Sequence, residues 1–382
     1  MKTPRNWVTR PLSQFVSLQR GFDLPTHARV PGSVPVLSSG GVNGSHNEAK
    51  VDGDNFVIGR ATNIGRPTWS SVPFWPLNTT LFVKDFLGNF PKFCFYWFLA
   101  TDLSGFDSGS VQPMLNRNYI ANIPVAIPSF VEQRRIAGVL GALDDKIESN
   151  LRTISLSESL ILAHFSSLFN SGHVSAGTAL SDLMDVNPRY SLKRESLAIK
   201  VSMQDIPSDF PVINTHAVMP VGAGSRFSNG DVLFARISPC LENGKTAIVD
   251  FLSSSEVGFG STEFIVLSPR GEISTTWIYA LARDPNFREV CRQAMSGSSG
   301  RQRLSADFFS RYTIATPKEF DLADFNKATM PLLTLMGARR DENQRLAQLR
   351  DALLPELMSG RMRVDEAGCL VSEALDEEVA DV

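Results

Sequence analysis

Cysteine is scarce in this chain. Cys94, Cys240, Cys291 and Cys369 stand singly, with no CxxC pair and no Cys/His cluster, which argues against a disulfide framework or a structural metal and suits a reducing cytoplasm. Long apolar runs are missing too. None reaches the roughly 18 residues of a membrane span, and Met1 to Arg20 carries Arg5 and Arg10 without an apolar core, so neither an anchor nor a signal peptide is expected. His27, His46, His164, His173 and His216 have no Ser or Cys beside them in a nucleophile motif, and HExxH and Walker patterns are absent. From Val364 onward there is no basic residue against seven acidic ones, so the net charge of −3 becomes +4 without that stretch. Its composition predicts an acidic tail without fixed structure. Residues 1–128 hold eleven Lys/Arg against seven Asp/Glu, and residues 171–317 hold fourteen of each. Any phosphate contact must therefore come from local clusters, not from a global field.

What is present is two long polar helices and two strand-rich segments, and 382 residues suffice for two cores. The first helix opens after Pro128, with Ser129 as cap and Glu132 three residues on. Ile136, Leu140, Leu143 and Ile147 then recur at helical spacing. After the polar Asn150 the seam resumes at Ile154 and Ile161, with Asp144, Asp145, Lys146, Glu148 and Arg152 facing away, up to Asn170-Ser171-Gly172. Asp321 to Met358 repeats the rhythm through Phe325, Thr329, Leu332, Met336, Arg339, Asn343 and Leu346, then Leu349, Leu353 and Leu357. Pro331 and Pro355 are expected to kink or end it. Two narrow seams of similar length predict an antiparallel coiled coil.

The strand-rich segments repeat one plan. Strands are predicted at Val34–Leu37, Asn55–Ile58 and Leu81–Val83, then a helix at Phe90–Thr101; the second copy has Asp231–Phe234, Glu263–Val266 and a helix at Thr276–Arg283. Gly53-Asp54, a strand and Arg60 match Gly230-Asp231, a strand and Arg236, and Thr79-Thr80 matches Thr262-Glu263. Gly109–Leu115 matches Ser298–Leu304 at a constant offset of 189 that also carries Tyr119 to Phe308 and Pro128 to Pro317. A domain plus a helix, repeated once, predicts approximate internal two-fold symmetry. The boundaries are 1–128, 129–170, 171–317, 318–363 and 364–382.

Loops beside the strands carry His46, Asn47, Lys50, Arg60, Asn63, Arg66, Gln112, Asn116 and Arg117 in the first copy. Arg226, Arg236, Glu242, Asn243, Lys245, Arg301, Gln302 and Arg303 stand in the second. These side-chain types read base edges, Arg or Lys on guanine, Asn or Gln on adenine and Glu on cytosine, while Gly59, Gly65, Gly244 and Gly300 let backbone approach phosphates. Taken singly each is an ordinary loop residue; paired occurrence in both copies favours binding. Trp69, Phe74, Trp75, Phe95, Tyr96 and Trp97 lie in apolar runs and are expected in the core. Asn187-Pro188-Arg189-Tyr190 approaches the Asn-Pro-Pro-Tyr element of adenine-N6 methyltransferases, but Arg189 breaks it, and Gly222-Ala223-Gly224 lacks the flanking strand and helix of a cofactor loop.

These residues resemble the specificity subunit family of type I restriction-modification systems. The resemblance rests on Ser38–Gly41 through His46–Lys50, Ile58-Gly59-Arg60, Trp75–Leu81 and Leu115-Asn116-Arg117. It continues in Glu132–Ala137 with Ala142–Ile147, Asn187-Pro188-Arg189, Ala235-Arg236-Ile237, Pro239–Thr246, Gly300–Arg303 and Leu353–Gly360. It implies an α+β fold with two pseudo-repeated, strand-rich target recognition domains separated by two long antiparallel coiled-coil helices. It implies a non-catalytic DNA-reading subunit for an interrupted, asymmetric target, the helices setting the gap and docking two methylation subunits. Arg134, Arg135, Leu143, Ile147, Leu346 and Leu353 would lie on the docking helices. No cofactor is implied in this chain; S-adenosylmethionine, ATP and Mg belong to the methylation subunits and a restriction subunit. The rival readings are a self-sufficient adenine methyltransferase and a coiled-coil scaffold that never touches DNA.

Overall fold

The computed structural model describes residues 6–108, 114–169, 171–193, 195–208, 210–214, 216–298 and 301–376. The chain divides into two compact units, residues 1–146 with 346–382, and residues 147–345.

In the first unit, strand Val8–Pro11 pairs antiparallel with Pro124–Ile127. A four-stranded antiparallel sheet runs in the order Ser17–Arg20, Thr80–Asp85, Asn55–Gly59, Pro67–Ser70. Phe56, Val57 and Ile58 in its middle are all buried because both faces are covered. Successive side chains point to opposite faces. Phe56 meets Phe95 and Phe98 of helix Pro91–Ala100 at ring-centroid distances of 5.8 and 5.5 Å, while Val57 packs with Leu37 and Phe74. A three-stranded sheet, Gly41–His46, Val34–Ser38, Trp75–Pro76, carries the second face, and its last pair is parallel.

The second unit repeats this wiring. Its first sheet runs Asp185–Val186, Phe264–Ser268, Val232–Ala235, Thr246–Ile248, and its second runs Ala217–Pro220, Leu197–Val201, Val257–Gly260, Arg226–Ser228, again with an internal parallel pair. The predicted helix forms at Thr275–Arg283, capped by Ser274, whose Oγ accepts from Trp277 N at 3.3 Å. The offset of 189 survives in hydrogen bonds. Leu12 N donates to Ile123 O and Leu180 N to Tyr312 O, the acceptors keeping that offset while the donors do not.

The long helices span Phe130–Leu168 and Glu319–Met358. Ser129 Oγ accepts from Glu132 N at 3.3 Å, as the start signal predicts. Within the first unit Asp144 meets Arg350; within the second Asn150 meets Asn343 at 2.8 Å and His164 stacks on Phe325. Numbering rises on one helix as it falls on the other, so the pair is antiparallel. Ile136, Leu140, Leu143, Ile154, Ile161, Phe325, Thr329, Met336, Leu346, Leu353 and Leu357 are buried along the seams.

Several expectations change. The second helix continues through Pro331 and Pro355 without ending, Pro331 on an exposed position. Asp144 does not face away, since it accepts from Tyr96 Oη at 2.6 Å. The acidic stretch is a helix, Val364–Asp376, as far as the described residues extend. Ala367 and Val371, four apart, are buried, Gly368 lies beside Val139, and Asp365 pairs with Arg135; a small apolar stripe outweighs an acidic composition.

Candidate nucleic-acid interface

The two copies present the same structural node. Arg60 follows strand Asn55–Gly59; its N–H donates to Thr79 O and its carbonyl accepts from Leu115 N, both at 2.9 Å. Arg236 follows Val232–Ala235, donates to Glu263 O at 3.0 Å and accepts from Leu304 N at 2.8 Å. Glu263 is thus the counterpart of Thr79, one residue from the pairing read in the sequence. Each arginine lines a cavity at its sheet end.

In the first copy the cavity measures about 790 Å³ and is lined by Arg20, Arg60, Lys84, Asn116, Arg117 and Gln19, with Asp23 at its edge. Arg60 Nη1 donates to Asn78 O at 3.1 Å and its Nε to Leu115 O at 3.2 Å. Arg20 Nε reaches the same Asn78 carbonyl at 3.4 Å, and Arg117 Nη1 donates to Leu18 O at 3.1 Å. Burial, then the nearby Arg20 charge, lowers the Arg60 pKa from its ordinary value.

The second cavity, about 480 Å³, is lined by Arg189, Tyr190, Arg226, Arg236, Ser225 and Thr262 among others. Near Arg236 stands a carboxylate, outside the cavity lining. Arg303 grips Glu263 with Nε and Nη2 at 2.8 to 3.0 Å, and Arg236 Nε stands 3.9 Å from it. The Arg303 hydrogen bonds hold the Glu263 pKa below the usual carboxylate range. Arg226 donates to Leu192 O at 3.4 Å. Tyr190 donates to Asp231 Oδ1 at 3.1 Å, and burial pushes its phenol up to about 12 and raises the Asp231 carboxyl.

The remaining predicted residues divide by exposure. Asn47, Asn63, Arg66, Asn243 and Arg301 are exposed, Gln302 half-buried; Asn63 donates to Ser39 O at 3.2 Å. Lys50 pairs with Glu48 and lies 4.9 Å above the Trp75 ring. His46 is buried, accepts from Val30 N at 3.0 Å and packs edge-on against Trp75, so it serves the core. Lys245 is drawn inward, donating to Met203 O and Ile206 O at 2.7 and 3.0 Å, because those carbonyls would otherwise lack donors. Gln112 and Gly300 lie outside the described residues. Arg20 and Lys84 reach the first node only through strand pairing, and the sequence signal for them is a basic residue at the end of a strand; Arg189 and Tyr190, read in the sequence as part of a broken catalytic element, line the second cavity instead. Of the aromatic run, Phe74, Trp75, Phe95, Tyr96 and Trp97 are buried as expected.

Asn187 is turned into the sheet, φ +52°, its N–H donating to Val266 O at 2.7 Å and its Oδ1 accepting from Val266 N at 3.0 Å. An amide so committed is not free to receive a target amine. Among the residues implied for partner docking, Leu143, Leu346 and Leu353 are buried and Ile147 is partly so; Arg134 and Arg135 remain on the surface. Among the described residues no group of His, Cys, Asp and Glu is arranged to hold a metal ion, and no helix is long and apolar enough to cross a membrane.

Comparison with known proteins follows the same lines. Residues 4–155 match the type I restriction modification DNA specificity domain. The type I restriction enzyme EcoEI specificity subunit of Escherichia coli is 29% identical over 150 residues, 38% of this chain and 25% of that protein. The MjaIX specificity subunit of Methanocaldococcus jannaschii is 22% identical over 340 residues, 76% of this chain and 74% of that one. The matched region thus spans about a quarter of the Escherichia coli relative's length. Among solved structures, the type I restriction-modification S subunit from M. genitalium shares the fold at a TM-score of 0.59, with 15% identity, covering 94% of this chain and 98% of its own.

Proposed function

We propose that this chain, a member of the type I restriction-modification specificity-subunit family, is the non-catalytic DNA-reading subunit of such a complex. Each recognition domain reads one half of a bipartite, asymmetric target. The long helices set the spacer and dock two methylation subunits, which bring S-adenosylmethionine; a restriction subunit with ATP and Mg completes the complex in the cytoplasm. The observation that carries this reading is one node built twice, with Arg60 and Arg236 on identical backbone connections but facing differently charged surroundings. Two such nodes suit two unrelated half-sites.

The test is a methylation map of DNA from cells expressing the chain with its neighbouring methylation subunit, against the partner alone. A bipartite adenine-methylated motif that needs both chains is the expected result, and removing seven residues from each helix alters the gap while keeping the half-sites. Assembly without any new motif, or duplex affinity without salt dependence, would instead favour the coiled-coil scaffold.

A further inference from the structure

Three arginines of the first copy converge on one cavity whose lining holds a single carboxylate, Asp23, and none of the three is ion-paired among the described residues. Arg20, Arg60 and Arg117 line one cavity, yet among the described residues each donates only to backbone carbonyls, those of Asn78, Leu115 and Leu18. Asp23, the acid in the lining, accepts from the Asn78 amide. Lys84 joins the rim and also lines a neighbouring cavity of about 480 Å³, where Lys50, paired with Glu48, and Asp52 stand as well. Like charges held at one node repel, and an anion between them would relieve that repulsion. The second copy answers its arginines with the Glu263 carboxylate.

We propose that Arg20, Arg60 and Arg117 form a phosphodiester clamp on the DNA backbone, so that the two equivalent arginines do different work: Arg60 fixes register and Arg236 reads a base. The inference rests on the DNA-reading function and refines it. A guanidinium with Nε and one Nη spent on carbonyls, as in Arg60, has fewer edges left for a bidentate base contact. Phosphate requires charge and a few N–H groups, not a full fork.

The experiment uses the assembled complex with its methylation subunit and the double variant Arg20→Ala/Arg117→Ala. Both side chains are exposed and each gives up one carbonyl contact, so folding should survive, as an unchanged melting temperature would verify. Affinity is measured on the target duplex and on duplexes altered in either half-site, across a salt series, with the methylated motif mapped in parallel. A clamp predicts a loss of roughly 10-fold or more on all duplexes alike, a salt slope smaller by roughly 2, and an unchanged motif. Relaxed specificity at one half-site with the salt slope intact would overturn it and make these arginines base readers, and unchanged affinity would remove the cavity from the interface. If the parent complex itself shows no salt-dependent binding and no motif, the DNA-reading function fails first.

Discussion

Both strand-rich domains pack on the same long helix through a tyrosine and a carboxylate, but they do so at different depths. In the first unit Tyr96 donates to Asp144, which also receives Arg350 of the second long helix at 2.9 Å, a pair about a quarter exposed. In the second unit Tyr279 donates to Glu158, and the matching cation, Arg283 at 3.2 Å, comes from the recognition domain itself. That site is nearly dry. Burial and the adjoining carboxylate lift both tyrosine hydroxyls well above their ordinary range, so each remains a donor at neutral pH. The same device thus ties domain to both helices in one unit and domain to one helix in the other.

Replacing the two acids separates these cases. Glu158→Ala leaves the buried Tyr279 hydroxyl without its acceptor and Arg283 without its counter-charge, held only by the Ser208 and Gly244 carbonyls, and should cost about 3–5 kcal/mol, whereas Asp144→Ala, with solvent available to Arg350, should cost about 1–2 kcal/mol. Urea unfolding monitored by circular dichroism measures both; equal losses would erase the distinction in depth. On the proposed function, Glu263→Gln frees Arg303 and alters the field at Arg236, so methylation should relax by about 1–3 kcal/mol at one half-site and stay unchanged at the other. Because Arg303 depresses the Glu263 pKa in the fold, this carboxylate contributes stability above the ordinary carboxylate value that is lost as pH falls through the folded value. Thermal melts against pH should show that component in the parent protein and not in Glu263→Gln, while the first copy, with Thr79 at this place, supplies none. Asp365→Ala removes an exposed pair with Arg135 and should shift stability by at most about 1 kcal/mol; a larger loss would mean the C-terminal helix hangs on that contact more than on Ala367 and Val371.

Much of the architecture was legible because it repeats. The offset of 189 from Leu115 to Leu304 reappears as equivalent hydrogen bonds to Arg60 and Arg236, and the helical seams predict which residues are buried. What stayed hidden depends on contacts between distant segments. No local pattern tells that Lys245 turns towards the Met203 and Ile206 carbonyls, that His46 goes under Trp75, or that Arg340 is buried against Asp250. Arg20 and Lys84 belong to the first site only because strands Ser17–Arg20 and Thr80–Asp85 are neighbours in the sheet. The acidic composition after Val364 hid the four-residue spacing of Ala367 and Val371, which is enough to seat a helix.

The division of the chain into residues 147–345 and a unit made of 1–146 with 346–382 means that the segments of the two units become complete at different times. During synthesis every segment of the inner unit has left the ribosome before the outer one is complete. The first strand-rich domain waits, its share of the first long helix bearing Ile136, Leu140 and Leu143 without the Leu353 and Leu357 segment. A chain ended after Arg345 would therefore carry every segment of the inner unit while the first domain still shows an unfinished apolar seam, the kind of surface chaperones hold.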